Sequence, residues 1–230
     1  MITEKEFQKN LSILRERLAE ACTFANRSVE EVQILPVTKN WPVQAVHYAQ
    51  RAGFSRVGEN RVQEAVEKKS SVEGMEWDLI GHLQSNKAKQ VIGQFSRVQT
   101  VDSSKLLGKL HLASTKLNVK IGILIQVNTG NDPAKNGILE DQCEEFVEKT
   151  LGYSSLVLEG FMTMAPFAPD DPKVARNAFS RLRNLKDQMS SQFNIPLPEL
   201  SMGMTGDLRE AVAEGSTMIR VGSALFGQRE

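Results

Sequence analysis

The chain has 230 residues, 40% hydrophobic and 24% charged, which suits a globular protein with a substantial core. Its 28 Lys plus Arg balance 28 Asp plus Glu, so bulk charge gives no case for nucleic acid or an anionic membrane as a partner. No apolar run approaches the ~20 residues that span a bilayer, and the charged start, Met1 to Glu6, is unlike a secretory or transit peptide.

Residues 3–26 carry Phe7, Leu11, Leu14, Leu18, Ala21 and Cys22 at three- and four-residue intervals. That spacing predicts an amphipathic helix, with Thr3 as N-cap and Glu6 completing a capping box. Cys22 and Cys143 lie far apart without metal-ligand spacing and read as buried thiols of a reducing, cytoplasmic compartment. A strand over 32–38 follows, then a helix opened by Pro42 and stopped at Gly53.

From there a short apolar strand and a helix alternate. The strand Phe54–Val57 precedes a helix through Val62, Ala65 and Val66, and Trp77–Ile80 precedes one with Lys87, Ala88 and Val91. Val98–Val101 leads to a helix over Leu106, Leu110 and Ala113. Ile121–Val127 leads through a polar loop, 129–136, to a helix holding Cys143, Phe146 and Val147. Leu156–Phe161 is followed by a longer helix over 172–192, with Phe179, Leu182, Leu185 and Met189 on one face. Glu199–Met202, a short helix over 211–214 and Met218–Val221 complete the pattern. Eight such units imply a parallel sheet and an α/β fold, a single (β/α)8 TIM barrel with an additional N-terminal helix. A doubly wound open sheet is the competing arrangement. With no internal repeat, low-complexity segment or linker, residues 1–230 read as one domain.

Lys39 closes an otherwise apolar strand, Ile34-Leu35-Pro36-Val37-Thr38-Lys39, just before an Asn-Trp-Pro turn. A strand-end lysine often merely reaches solvent. At the carboxyl end of a barrel strand it points instead into the site, where desolvation favours the neutral amine that attacks carbonyls. Polar residues recur after the other strands: Glu59 and Asn60, His82, Asp102, Asn128, Ser201 and Thr205, and Arg220 with Ser223; Met164 holds the equivalent place after strand six. The runs Ser201-Met202-Gly203-Met204-Thr205-Gly206-Asp207 and Arg220-Val221-Gly222-Ser223 place glycines and hydroxyls after strands seven and eight. There this fold cradles phosphate, although the glycines also suit tight turns alone. Neither GxxxxGK nor GxGxxG occurs, which disfavours a nucleotide. A strand-one lysine, a phosphate cradle and an arginine near strand eight together suggest pyridoxal phosphate.

Nearly the whole chain resembles the YggS/PROSC family of pyridoxal phosphate homeostasis proteins, which look like the barrel domain of alanine racemase standing alone. The resemblance rests on Val37-Thr38-Lys39, Gly58-Glu59-Asn60-Arg61-Val62-Gln63-Glu64, Trp77, Ile80-Gly81-His82-Leu83-Gln84-Ser85-Asn86-Lys87, Gln126-Val127-Asn128, Gly160-Phe161-Met162-Thr163-Met164, Leu200-Ser201-Met202-Gly203-Met204 and Arg220-Val221-Gly222. It implies Lys39 as the Schiff-base lysine and Arg220 as the arginine facing the pyridine nitrogen. Thr205, Gly222 and Ser223 are implied at the phosphate, and Asn60, Met164 and Ser201 as pocket lining. Asn40-Trp41 and Gly206 depart from the commoner family pattern.

The implied role is to hold and hand on pyridoxal 5'-phosphate within the cell, with apo forms of enzymes that use it as partners and without robust catalysis. The alternative is a small racemase-like enzyme. A two-base racemase takes its second base from a tyrosine on an added β domain; here the chain stops at Glu230, and of the two tyrosines Tyr48 falls on an outer helix and Tyr153 near a helix end. His82 reads as a hydrogen-bonding residue and Lys87 as part of a helix cap or a second amine. A phosphosugar enzyme would explain the cradle but not the family runs. The protein is expected to be a monomer.

Overall fold

The computed structural model describes residues Ile2–Gln228; Met1, Arg229 and Glu230, and with them both chain ends named above, lie outside the described residues. Helix α1 (Glu4–Phe24) opens with the expected capping box: the Glu6 N–H donates to Thr3 Oγ1 at 3.3 Å, and the Thr3 N–H donates to Glu6 Oε2 at 2.7 Å. Its six predicted apolar positions are all buried, Cys22 among them. The barrel units then run in order: β1 (Gln33–Pro36) and α2 (Val43–Arg51), β2 (Arg56–Glu59) and α3 (Val62–Lys69), β3 (Glu76–Leu79) and α4 (Ala88–Val91), β4 (Arg97–Val101) and α5 (Ser104–Leu117). The second half comprises β5 (Ile121–Gln126) and α6 (Cys143–Leu151), β6 (Leu156–Met162) and α7 (Pro172–Phe193), β7 (Glu199–Ser201) and α8 (Leu208–Ala213), β8 (Met218–Val221) and α9 (Ser223–Phe226).

Every strand pairing is parallel, in the order β1-β8-β7-β6-β5-β4-β3-β2. The two ends of that order meet. Val37 bridges Gly58 in parallel, and the Thr38 N–H donates to Gly58 O at 3.0 Å. The sheet is therefore a closed (β/α)8 barrel, and the open doubly wound alternative is set aside. Among the described residues, no helix is long and apolar enough to cross a membrane.

Alternate strand residues fill the barrel, as the two-residue period requires. At the amino end the filling is charged: Arg97 Nε donates to Asp78 Oδ2 at 2.9 Å, its Nη1 lies 2.9 Å from Glu159 and 3.3 Å from Glu199, and Arg56 pairs with Asp78 and Glu76. Gly122 makes room for this cluster, because a Cβ there would sit 2.9 Å from the Glu159 carboxyl carbon. One layer up, Leu35 and Ile80 close over Gly58. Above them the barrel opens into a cleft.

Candidate functional site

The cleft at the carboxyl ends of the strands has a volume of about 720 Å³, within the range of small-molecule sites. Lys39, Asn60, Met164, Thr205, Arg220, Gly222 and Ser223, seven of the eight expected site residues, line it together.

Lys39 is half-buried in a tight turn whose flanks are both held. The Trp41 N–H returns to Thr38 O at 3.0 Å, and Asn40 takes φ +59°, a left-handed conformation that asparagine tolerates. Below the turn, buried Lys68 donates to Thr38 O at 2.8 Å, to Glu59 Oε1 at 2.6 Å and to Glu64 Oε1 at 2.7 Å. Thr38 Oγ1 donates to Glu59 at 2.6 Å, and Glu64 accepts the Asn40 N–H. Glu59 is thus a strut for the lysine turn and lies outside the cleft. Burial pushes its carboxyl above the usual range, while Lys68 and Thr38 pull it down.

Arg220 is buried from β8, donating from Nη1 to Ser201 O at 2.7 Å and Ser201 Oγ at 2.8 Å, and from Nη2 to Thr163 O at 2.9 Å. These acceptors are all neutral. Burial lowers its pKa to about 10, against the pull of Asp207. A buried cation whose hydrogen-bond partners carry no charge is complementary to an anionic ligand.

Ser201 corrects the sequence reading. Placed as pocket lining with its hydroxyl free for phosphate, it is fully buried beneath Arg220, and its Oγ donates to Gln99 Oε1 at 2.6 Å. The inward face of β7 at this level is covered by the arginine, so this hydroxyl serves the guanidinium.

The turn after β7 depends on Gly203, at φ +95°, where a Cβ would meet Ala211 and lie 2.9 Å from Ile219. The Met204 N–H donates to Asp207 Oδ1 at 2.6 Å, pinning the turn that presents Thr205 and Gly206. Burial raises the Asp207 carboxyl, and the Met204 N–H and Arg220 lower it. After β8, Gly222 and Ser223 open α9, whose first N–H groups have no intrahelical acceptor. The sequence reading missed this four-residue helix, which is too short to show a period. It also missed Met204, Gly206 and Gln228, which line the cleft; Met204 and Gly206 lie within the flagged glycine-rich run, whereas Gln228 had no signal.

On the opposite rim, His82 Nδ1 stands 3.3 Å from Asp102 Oδ2. Burial pushes Asp102 up and His82 pulls it down. Asn128 and Lys87 do not line the cleft: the Asn128 amide holds its own loop through Asp132 O at 2.9 Å, and Lys87 ends a 3₁₀ turn, Ser85–Lys87. Both cysteines are free and buried, with burial pushing the Cys143 thiol up to about 12.

A cleft with a primary amine on one wall, a buried guanidinium on its floor, and hydroxyls and backbone donors on two glycine turns fits the donor set that an aldehyde-bearing aromatic phosphate requires. Comparison with known proteins points the same way. Residues 6–230 match the family described as alanine racemase, N-terminal domain. The pyridoxal phosphate homeostasis protein of Aquifex aeolicus is 34% identical over 224 residues, covering 96% of this chain and 98% of that protein. Its namesake from Haemophilus influenzae is 35% identical, covering 96% and 95%. Among solved structures, PipY of Synechococcus elongatus with pyridoxal phosphate bound superposes with TM-score 0.81 at 32% identity, covering 91% of this chain and 100% of that one. Alanine racemase of Clostridium difficile shares the fold at TM-score 0.82 and 13% identity, with 98% of this chain matched to 60% of the racemase. The chain belongs to the alanine racemase N-terminal domain family, and within it to the pyridoxal phosphate homeostasis proteins.

Proposed function

We propose that residues 1–230 act as one barrel domain that binds pyridoxal 5'-phosphate at Lys39 and serves to hold the cofactor and pass it to apo enzymes, without robust catalysis of its own. The observation that carries this reading is the opening of Lys39, Arg220 and the Thr205 and Gly222 turns onto one cleft. Bound there, the cofactor supplies an aldehyde that condenses reversibly with a primary amine.

The chain's own residues divide the remaining work. Lys39 offers the amine from a turn braced on both sides. The N–H groups of Arg220 that its protein acceptors leave over would be the donors offered to the aromatic nitrogen; as a donor without an acceptor site, arginine would leave that nitrogen unprotonated and the ring a weaker electron sink. Thr205, Ser223 and the backbone of Gly206 and Gly222 would hold the phosphate, while Asn60 and Met164 would bound the ring. Ser201 acts from beneath, through Arg220.

Binding is favoured over racemisation by the tyrosines. Tyr48 packs against Phe7 with ring centroids 5.9 Å apart, and Tyr153 stacks on His111 at 4.5 Å. Neither lines the cleft, so neither can serve as a second base opposite Lys39.

The test is the visible spectrum of the protein incubated with pyridoxal phosphate, before and after borohydride. Wild type should show a band that borohydride abolishes, with the label on the peptide containing Lys39, and Lys39→Ala should show neither. A protein that takes up no cofactor would overturn the reading and favour a phosphosugar ligand. Loss of the α-proton of an added amino acid in deuterated water, at enzymatic rates, would favour the racemase-like alternative.

A further inference from the structure

Arg220 is one end of a buried chain of hydrogen bonds that runs down the barrel. Its Nη1 donates to Ser201 Oγ at 2.8 Å, Ser201 Oγ donates to Gln99 Oε1 at 2.6 Å, and Gln99 Nε2 donates to Asp78 Oδ2 at 2.6 Å. Arg97 Nε donates to the same oxygen of Asp78 at 2.9 Å. All five residues are buried.

The direction of every bond follows from Asp78. Held between Arg97 and Arg56, it is a carboxylate, which can only accept. The Gln99 amide must therefore turn its NH₂ toward Asp78 and its oxygen toward Ser201. The serine has one proton, and Gln99 Oε1 takes it. What Ser201 presents to the guanidinium is consequently a lone pair. A hydroxyl turned the other way would set O–H against N–H, and Arg220 would lose one of its three neutral acceptors.

We propose that Gln99 and Ser201 are positioning residues for Arg220: relayed through them, the fixed charge of Asp78 at the amino end of the barrel sets how the guanidinium stands in the cleft. Two of its five N–H groups, on Nε and Nη2, are left by the bonds to Ser201 and Thr163 and become the donors a ligand meets. The positioning is a property of the protein alone; its consequence for ligand affinity rests on the cofactor-binding reading above.

Two readouts test it on the full-length protein. The first is the Nε–H resonance of Arg220 in the ¹⁵N-labelled protein without added ligand, assigned by its disappearance in Arg220→Lys. The second is the dissociation constant for pyridoxal phosphate, from the visible band. In Ser201→Ala and Gln99→Met the resonance should move or broaden and affinity should fall about tenfold, the size of a buried charge-assisted hydrogen bond. The double variant should lose no more than either single one, because a chain broken once is broken. Ser201→Ala removes one atom, so it keeps the test alive should Gln99→Met fail to fold. An unmoved Arg220 resonance with unchanged affinity in folded variants overturns the proposal, as do additive losses in the double. If wild type binds no pyridoxal phosphate, the functional reading fails while the resonance still decides the positioning.

Discussion

At the scale of single residues, Lys39 owes its place to a lysine it does not touch in sequence. Lys68 is buried because its three acceptors, Thr38 O, Glu59 and Glu64, are gathered under the turn, and Glu59 in turn lies in the core because Lys68 and Thr38 meet one of its oxygens. Removing one member of a buried pair strands the other, at roughly 3–5 kcal/mol. Lys68→Met should therefore destabilise the fold by about that amount in urea unfolding at neutral pH and loosen Lys39 in the same step. The pH dependence has a definite sign. Burial raises the folded pKa of Glu59, so its contribution to stability is fully present below the unfolded carboxylate pKa, about 4.3, and is lost as pH rises through the folded value. Without Lys68 that loss grows, because the cation that lowered the folded value is gone. The deficit of Lys68→Met should accordingly be largest near pH 7 and shrink toward pH 4; a deficit independent of pH would assign the effect to packing.

At the scale of elements, helix α1 explains why a helix precedes the first strand. It packs across the last barrel unit, with Phe7 stacked on Phe226 of α9 at 5.4 Å between centroids. It also reaches the segments that follow β7 and β8: Asn10 Nδ2 donates to Leu225 O of α9 at 3.1 Å, and Arg17 Nη2 donates to Thr205 O at 3.0 Å. Arg17 is exposed, so the worth of its bond to global stability is small. Arg17→Ala should leave the unfolding midpoint nearly unchanged while weakening pyridoxal phosphate retention by about threefold, the size of half a net hydrogen bond; Arg15→Ala, two residues earlier and outside these contacts, should change neither. Equal effects of the two variants on binding would show that α1 acts only by its charge. The position of α1 in the chain was legible, and so was its buried face, because the 3.6-residue period is unbroken for five turns. Strand ends were less so. The apolar reading began β2 at Phe54, but Phe54 closes the end of α2 through its N–H to Ala49 O, and the ladder runs over Arg56–Glu59 instead. Gly58 and Glu59 belong to the strand for reasons no local pattern carries: Leu35 and Ile80 fill the space beside the glycine, and Lys68 meets the carboxylate. In the same way Val66, expected on the apolar face of its helix, is exposed, while Lys68 of the same helix is buried. The cleft was legible through the glycine and hydroxyl runs after β7 and β8. Its support was hidden, since Ser201 on β7 meets Gln99 and Asp78 on β4 and β3 only across the interior of the closed barrel.

At the scale of the whole molecule, charge is sorted along the barrel axis even though the chain as a whole is neutral. Carboxylates and arginines neutralise one another at the amino end, while at the carboxyl end Arg220 stands with neutral acceptors over a cleft whose turns offer hydroxyl and backbone donors. An anion entering that cleft would meet a buried cation and dipoles, and mobile ions screen such partners far less than they screen exposed charges. The exposed lysines of the neighbouring α4–α5 face, Lys89, Lys105, Lys109 and Lys116, line a separate cleft. The dissociation constant for pyridoxal phosphate should then change by less than about threefold between 0.05 and 0.5 M sodium chloride, whereas capture by exposed lysines would weaken by an order of magnitude or more over that range, as the Debye length falls from about 14 to about 4 Å. The comparison is decisive when made twice, on wild type and on a variant with Lys89, Lys105, Lys109 and Lys116 changed to glutamine. A flat salt response in both places recognition inside the cleft. A steep response in wild type that flattens in the variant would mean that the α4–α5 lysines gather the anion before the barrel receives it, and the neutral-donor account of the cradle would have to be given up.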